Sequence, residues 1–206
     1  MAFNVSDFKG ELTHGGARSS LFRIDGLTFP GALGLPGNTP PKIPFHVRAA
    51  QIPASTITPL DVFYFGRPIR YAGNRTYADW TVTVLNDEDF QLRDLFEAWS
   101  ASIQSHERNT RTLTDGGAAE ADGTSSGYNQ VAQVTQFGKK GESLRTYEFV
   151  GIFPIDIAAM ELDWSNDAFQ EFTVTFTYDY HTVSATGGPG AGATFLQQRE
   201  AAAPLV

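Results

Sequence analysis

Two periodicities meet between Tyr71 and Ser100, in the stretch YAGNRTYADWTVTVLNDEDFQLRDLFEAWS. Trp80, Val82 and Val84 fall on one parity, and Thr81, Thr83 and Leu85 on the other. Such a period of two predicts a strand with one apolar face. The period then changes. Leu92, Leu95, Phe96, Trp99 and Ile103 recur at steps of three and four residues, which predicts one core-facing side of a helix. Asn86-Asp87-Glu88-Asp89 separates the two patterns. With Asn86 as the helix cap, Asp87, Glu88 and Asp89 fall in the first turn, where carboxylates meet unpaired N–H groups and the positive end of the helix dipole. In that register Leu85 and Phe90 take the positions of a hydrophobic staple.

The rest of the chain reads mostly as strands. Ser6 to Leu12 predicts a short helix with Phe8 and Leu12 on one face. Leu21 to Gly26 reads as a first strand, Phe45 to Gln51 as a second and Ile57 to Phe65 as a third. Phe65-Gly66-Arg67-Pro68 is a turn signal, Ile69 to Tyr71 a short return strand, and Tyr71-Ala72-Gly73-Asn74 a further turn. Val131 to Phe137, Leu144 to Ile157 and Phe172 to Tyr180 complete the strands, the long one broken at Gly151 and Pro154. Three stretches escape both periods: a Gly/Pro loop at about 30–44, a small polar insertion at about 109–129 and a Gly/Ala-rich tail at about 185–206. The expectation is a mainly β, antiparallel sandwich or barrel with one flanking α-helix and long loops, a single domain over 1–206.

Composition narrows the function. A hydrophobic content of 41% with 16 phenylalanines supplies a core. The formal net charge is −8, a poor match to tight phosphate-backbone binding. Zero cysteines exclude disulfides, thiolate metal sites and a cysteine nucleophile, and suit a reducing cytosol. The N-terminus has no basic segment followed by an apolar run, which argues against a signal peptide, and no apolar stretch reaches membrane-spanning length.

Little in the sequence promises bond chemistry. Asp87-Glu88-Asp89 could be taken for a divalent-metal cluster, but successive residues at a helix start do not converge on one ion, and capping accounts for them. His14, His46, His106 and His181 show no metal-ligand spacing. No G-x-S-x-G elbow is present, and the glycines of residues 187–194 lack the lysine of a phosphate loop. Nothing nominates a cofactor. Trp80, Trp99 and Trp164 are assigned to the core. Arg67, Arg70 and Arg75 crowd the turn region; they either hold the hairpin by pairing with Asp61 or Asp79, or form a cationic patch that meets an acidic one on another subunit.

An ordered series of short motifs adds a resemblance. It runs through Phe3-Asn4-Val5-Ser6-Asp7-Phe8, His14-Gly15-Gly16-Ala17-Arg18, Leu21-Phe22, Pro44-Phe45, Ile52-Pro53-Ala54-Ser55-Thr56-Ile57, Tyr64-Phe65-Gly66-Arg67 and Gly73-Asn74-Arg75-Thr76-Tyr77. Asp79-Trp80 through Asp89-Phe90, then Arg93 and Trp99, close the first half; Gly151-Ile152-Phe153-Pro154 and the strand to Tyr180 continue it. In this order the motifs resemble the tail tube proteins of contractile-tailed (myovirus-type) bacteriophages. The resemblance implies a structural virion protein, not an enzyme, assembled in the host cytoplasm. It implies hexameric rings stacked into a hollow tube, a sheath protein outside, and the tape-measure protein and then DNA in the lumen without sequence-specific binding. Baseplate and tail-terminator proteins would meet the tube's ends. Phe3, Phe8, Arg18, Arg67, Arg70 and Arg75 are then the expected subunit contacts. Two alternatives remain open: the tube of a contractile injection particle that carries protein cargo, and a non-viral β-sandwich binding module.

Overall fold

The computed structural model describes residues 5–11, 16–35, 39–111, 113, 127–160, 162–165 and 167–184. Phe3, Leu12, most of the polar insertion and the tail from residue 185 lie outside the described residues. Among the described residues there are three α-helices, α1 (Val5–Glu11), α2 (Ile43–His46) and α3 (Gln91–Ile103). The strands are β1 (Phe22–Asp25), β2 (Val47–Ala50), β3 (Ser55–Tyr64), β4 (Arg67–Tyr77), β5 (Trp80–Leu85), β6 (Gln130–Phe137), β7 (Ser143–Ile157), β8 (Glu171–Thr177) and β9 (Tyr180–Ser184).

Seven strands pair antiparallel in the order β1-β6-β7-β8-β5-β2, with β9 added to β7; β3 and β4 pair only with each other. The long strand β7 is the corner of the fold. Its first half lies between β6 and β9, with Glu148 opposite Gln133 on one side and Thr182 on the other. Its second half pairs with β8, from Phe153 opposite Thr177 to Ile157 opposite Val174. Gly151 sits at the change of partner with φ +74°, a left-handed conformation that a side chain disfavours. A Cβ there would also stand 2.3 Å from the Asp179 carboxylate, which would have to shift to admit it. Tyr178 and Asp179 break the facing strand between β8 and β9 at the same level, and Asp179 N–H donates to the Val150 carbonyl.

The alternation read in the sequence builds the core. Trp80, Val82 and Val84 of β5 and Phe172, Val174 and Phe176 of β8 are buried. Trp80 stacks on Phe149 of β7 with ring centroids 4.6 Å apart. The helix α3 lays Leu92, Phe96 and Trp99 over this surface, with Leu95 and Ile103 half-buried at its margin. Phe29 fills the space beneath the helix, 5.3 Å from Phe96 and 5.1 Å from Trp99 between ring centroids.

Four expectations are corrected. The helix does not start after Asn86. It starts at Gln91, with Phe90 in the cap position at φ +52°. Asn86 is held by β8's approach: its backbone N–H donates to the Gln170 carbonyl and its side-chain amide to Gln170 Oε1 at 2.7 Å. Asp87, Glu88 and Asp89 therefore belong to the link between strand and helix, not to the first turn. Only Asp89 retains a helix-start role, accepting from Gln91 N–H at 3.2 Å. In this register Leu85 and Phe90 no longer occupy staple positions. Second, Phe45 and His46 are helical, and the strand starts at Val47. Third, β4 continues through the turn expected at residues 71–74; the surplus residues are absorbed as a register shift between Ile57 and Pro59. Fourth, Trp164 is not in the core but stands in the open on the β7–β8 connection.

Candidate functional site

Among the described residues the strands of the hairpin β3–β4 pair only with each other, and its contact with the core is at its base, where Tyr77 packs against Tyr178 and His181. Its ten- and eleven-residue strands pair over almost their full length, from Ser55 opposite Tyr77 to Tyr64 opposite Arg67. At about 3.3 Å per residue the arm extends roughly 30 Å. The tip is a two-residue turn. Phe65 and Gly66 have φ values of 45° and 78°, the paired positive angles of a type I′ turn, whose twist matches that of the flanking strands. Phe65 occupies a conformation unusual for a bulky residue and stacks edge-on against Tyr64 at 4.6 Å.

Register sorts the arm's side chains. Leu60 faces Tyr71 and Val62 faces Ile69, so these four share one surface with Tyr64. Asp61 opposite Arg70 and Phe63 opposite Pro68 lie on the other. Every residue of β3 is exposed, with Phe63 at 72% and Phe65 at 93%. An isolated two-stranded hairpin is marginal in water, and an exposed apolar patch of this extent on a folded chain marks an interaction surface.

The arm is also cationic. Arg67, Arg70 and Arg75 stand against the lone Asp61, a formal +2 within a chain of −8. Arg70 Nε lies 3.5 Å from Asp61 Oδ1, and both side chains are exposed. Arg67 and Arg75 make no ion pair among the described residues. Arg75 instead helps hold His181 below the usual histidine range, a shift due first to burial of the ring among Tyr77, Tyr147, Phe149 and Tyr178. The three arginines are thus brought onto one strand. Phe8 on α1 and Arg18 before β1 are both exposed on other segments.

The acidic link before α3 serves a different purpose. Lys42, at the end of the Gly/Pro loop, donates its ammonium to Asp87 Oδ2 at 3.0 Å and also to Asp89 Oδ2. Asp87 accepts further from Glu88 N–H. The Lys42 contact, then these backbone donors, hold both carboxyls below the ordinary carboxylate range, and Asp89 and Asp87 in turn raise Lys42. This is a clamp between two loops.

A second exposed surface, absent from the expected contacts, is the β7–β8 connection. Leu162, Trp164 and Phe169 are at least 84% exposed there. They surround an open hollow of about 710 Å³ that also involves Asp163, Gln170 and Glu171. The cue in the sequence is a tryptophan flanked by Asp163 and Asp167, a pattern that suits an exposed loop better than the core.

A family model described as phage tail tube protein matches residues 17–184. The tail tube protein gp19 of Enterobacteria phage T4 is 32% identical over 181 residues, covering 87% of this chain and 94% of that protein. The tail tube protein gp19 of phage T6 gives the same figures. Solved structures share the fold at low identity. The tube-terminating cap of the anti-feeding prophage aligns with a TM-score of 0.60 at 12% identity, over 90% of this chain and all of the cap. The sheath–tube complex of an extracellular contractile injection system, PVC, in its extended state aligns at 0.56 with the same identity and coverage. At that identity the likeness concerns the fold alone. The sequence matches reach further, and on their strength the chain belongs to the phage tail tube protein family.

Proposed function

We propose that this chain is the subunit of the inner tail tube of a contractile phage tail, its 206 residues forming one tube domain. Six copies close into a ring, and rings stack into a channel through which the tape-measure protein and then DNA pass. The sheath encloses the tube, and baseplate and tail-terminator proteins meet its ends. Assembly takes place in the host cytoplasm. The observation that carries this reading is the β3–β4 arm, an uncovered apolar hairpin that requires a protein surface. Among the described residues no further strand pairs with the outer edges of β1, β2 and β9, which supports it, since open strand edges join readily to strands of another chain. A net charge of −8 suits passage of DNA: an acidic wall repels phosphates and lets them slide, whereas a basic one holds them.

A tube for protein cargo would use the same fold, and the injection-system likeness is of fold only; the sequence relatives favour the phage tail. Purified protein at high concentration is expected to show rings or tubes of uniform width in negative-stain micrographs. A sample that stays monomeric and featureless counts against the tube reading.

A further inference from the structure

Two uncovered surfaces of this chain match each other in both apolar character and charge. The first is the arm, with Phe63, Phe65 and a formal +2. The second is the β7–β8 connection, with Leu162, Trp164 and Phe169 exposed around its hollow. Residues 155–171 contain five acidic residues and no lysine or arginine. Asp163 accepts from both the backbone N–H and the hydroxyl of Ser165, which favours its ionised form. Phe65 is 93% and Trp164 105% exposed, so neither is covered by the described residues of its own chain.

Strand register places the base of the arm and the hollow at opposite ends of β5. On β5 and β8, Trp80 lies opposite Phe176 and Leu85 opposite Glu171. The arm ends at Tyr77, just before Trp80, and its base is tied there by the bond from Ala78 N–H to the Ala54 carbonyl. The acidic hollow lies at the other end, where Gln170 and Glu171 line it and Asn86 holds Gln170. The six residues of β5 separate them by roughly 17–20 Å along the strand. Complementary surfaces at different places on a chain meet head to tail between copies, and such a contact repeats along an axis unless a rotation closes it.

We infer that the tip of the β3–β4 arm of one copy docks in the acidic, apolar hollow of the β7–β8 connection of a second copy. Phe65 and Phe63 enter among Leu162, Trp164 and Phe169, and Arg67 and Arg70 meet Asp163 and Asp167. This pairing rests on the tube reading and states which two surfaces join successive copies.

The natural absence of cysteine makes the test direct. Phe65→Cys and Trp164→Cys are placed in one chain, and assembled protein is treated with a short bismaleimide linker. A ladder of covalent multimers on a denaturing gel is expected, and neither single variant should form one. Micrographs of the same samples separate the two levels. Tubes without a ladder overturn the pairing and leave the tube reading intact; unmodified protein without rings or tubes overturns the reading itself. Should the double-cysteine chain not assemble, a charge exchange decides. Arg67→Glu with Arg70→Glu, and separately Asp163→Arg with Asp167→Arg, are expected to keep the folded circular-dichroism spectrum and lose tubes. All four changes in one chain should restore tubes. Tubes from either pair alone, or no recovery in the fourfold variant, overturn the pairing.

Discussion

Trp99 answers to two constraints in the core. Its ring is fully buried against Phe29 and Phe176, and its indole N–H donates to the Tyr128 carbonyl at 3.1 Å. Replacement by alanine empties the space beneath α3 and leaves that carbonyl without its partner. Trp99→Ala is expected to cost about 3–5 kcal/mol in chemical denaturation. A change within about 0.5 kcal/mol would put the residue at the surface instead. The Lys42 clamp makes a different demand, on pH. Asp87 and Asp89 titrate below their unfolded value, near 3.9, so their contribution to the folded state is present above about pH 4. It is lost as pH falls through their lowered folded values. Lys42, raised, contributes below its unfolded value of about 10.4 and loses that contribution as pH rises through its folded value. Carboxyl chemical shifts followed by NMR should show both aspartates titrating below the ordinary range, and Lys42→Ala should return them toward it. Unchanged midpoints in that variant would mean the backbone donors alone suffice.

Strands β3 and β5 have opposite relations to the core. Strand β5 alternates cleanly, and its apolar parity is buried. Strand β3 places apolar residues on both parities, with Leu60 and Val62 on one and Ile57 and Phe63 on the other, and buries none. Apolar content predicts a strand in both cases; only clean alternation predicts a strand with a core face of its own. Charge reversal at Arg67, Arg70 and Arg75 together should leave the fold intact, because all three side chains are exposed. The same change should abolish tube formation in micrographs. If tubes persist with all three reversed, the arginines only hold the hairpin. The cap of α3 gives the converse lesson. Three local signals converged on Asn86, yet Gln170 and Lys42 claimed Asn86, Asp87 and Asp89 from 84, 45 and 47 residues away. Local propensity lost to contacts that exist only after folding, and the helix began at Gln91.

At the scale of the whole molecule the chain is a structural tail tube protein, a component of the virion and not an enzyme. A protein of that kind needs no converging catalytic groups. The arm and the β7–β8 connection are the parts of the described chain that leave large apolar side chains most exposed. The periodicities alone determined that the chain is mainly β with one substantial flanking helix, and which side of β5, β8 and α3 faces inward, because alternation and the three-to-four step are written residue by residue. Order of motifs identified the family for the same reason. Tertiary structure decided what depends on distant partners. Trp164 had the composition of a core residue, and Phe65 that of an ordinary strand end, but burial is a property of what the rest of the chain brings to a side chain. Here β7 turns at Gly151 to meet β8, the core closes without either ring, and both are left outward.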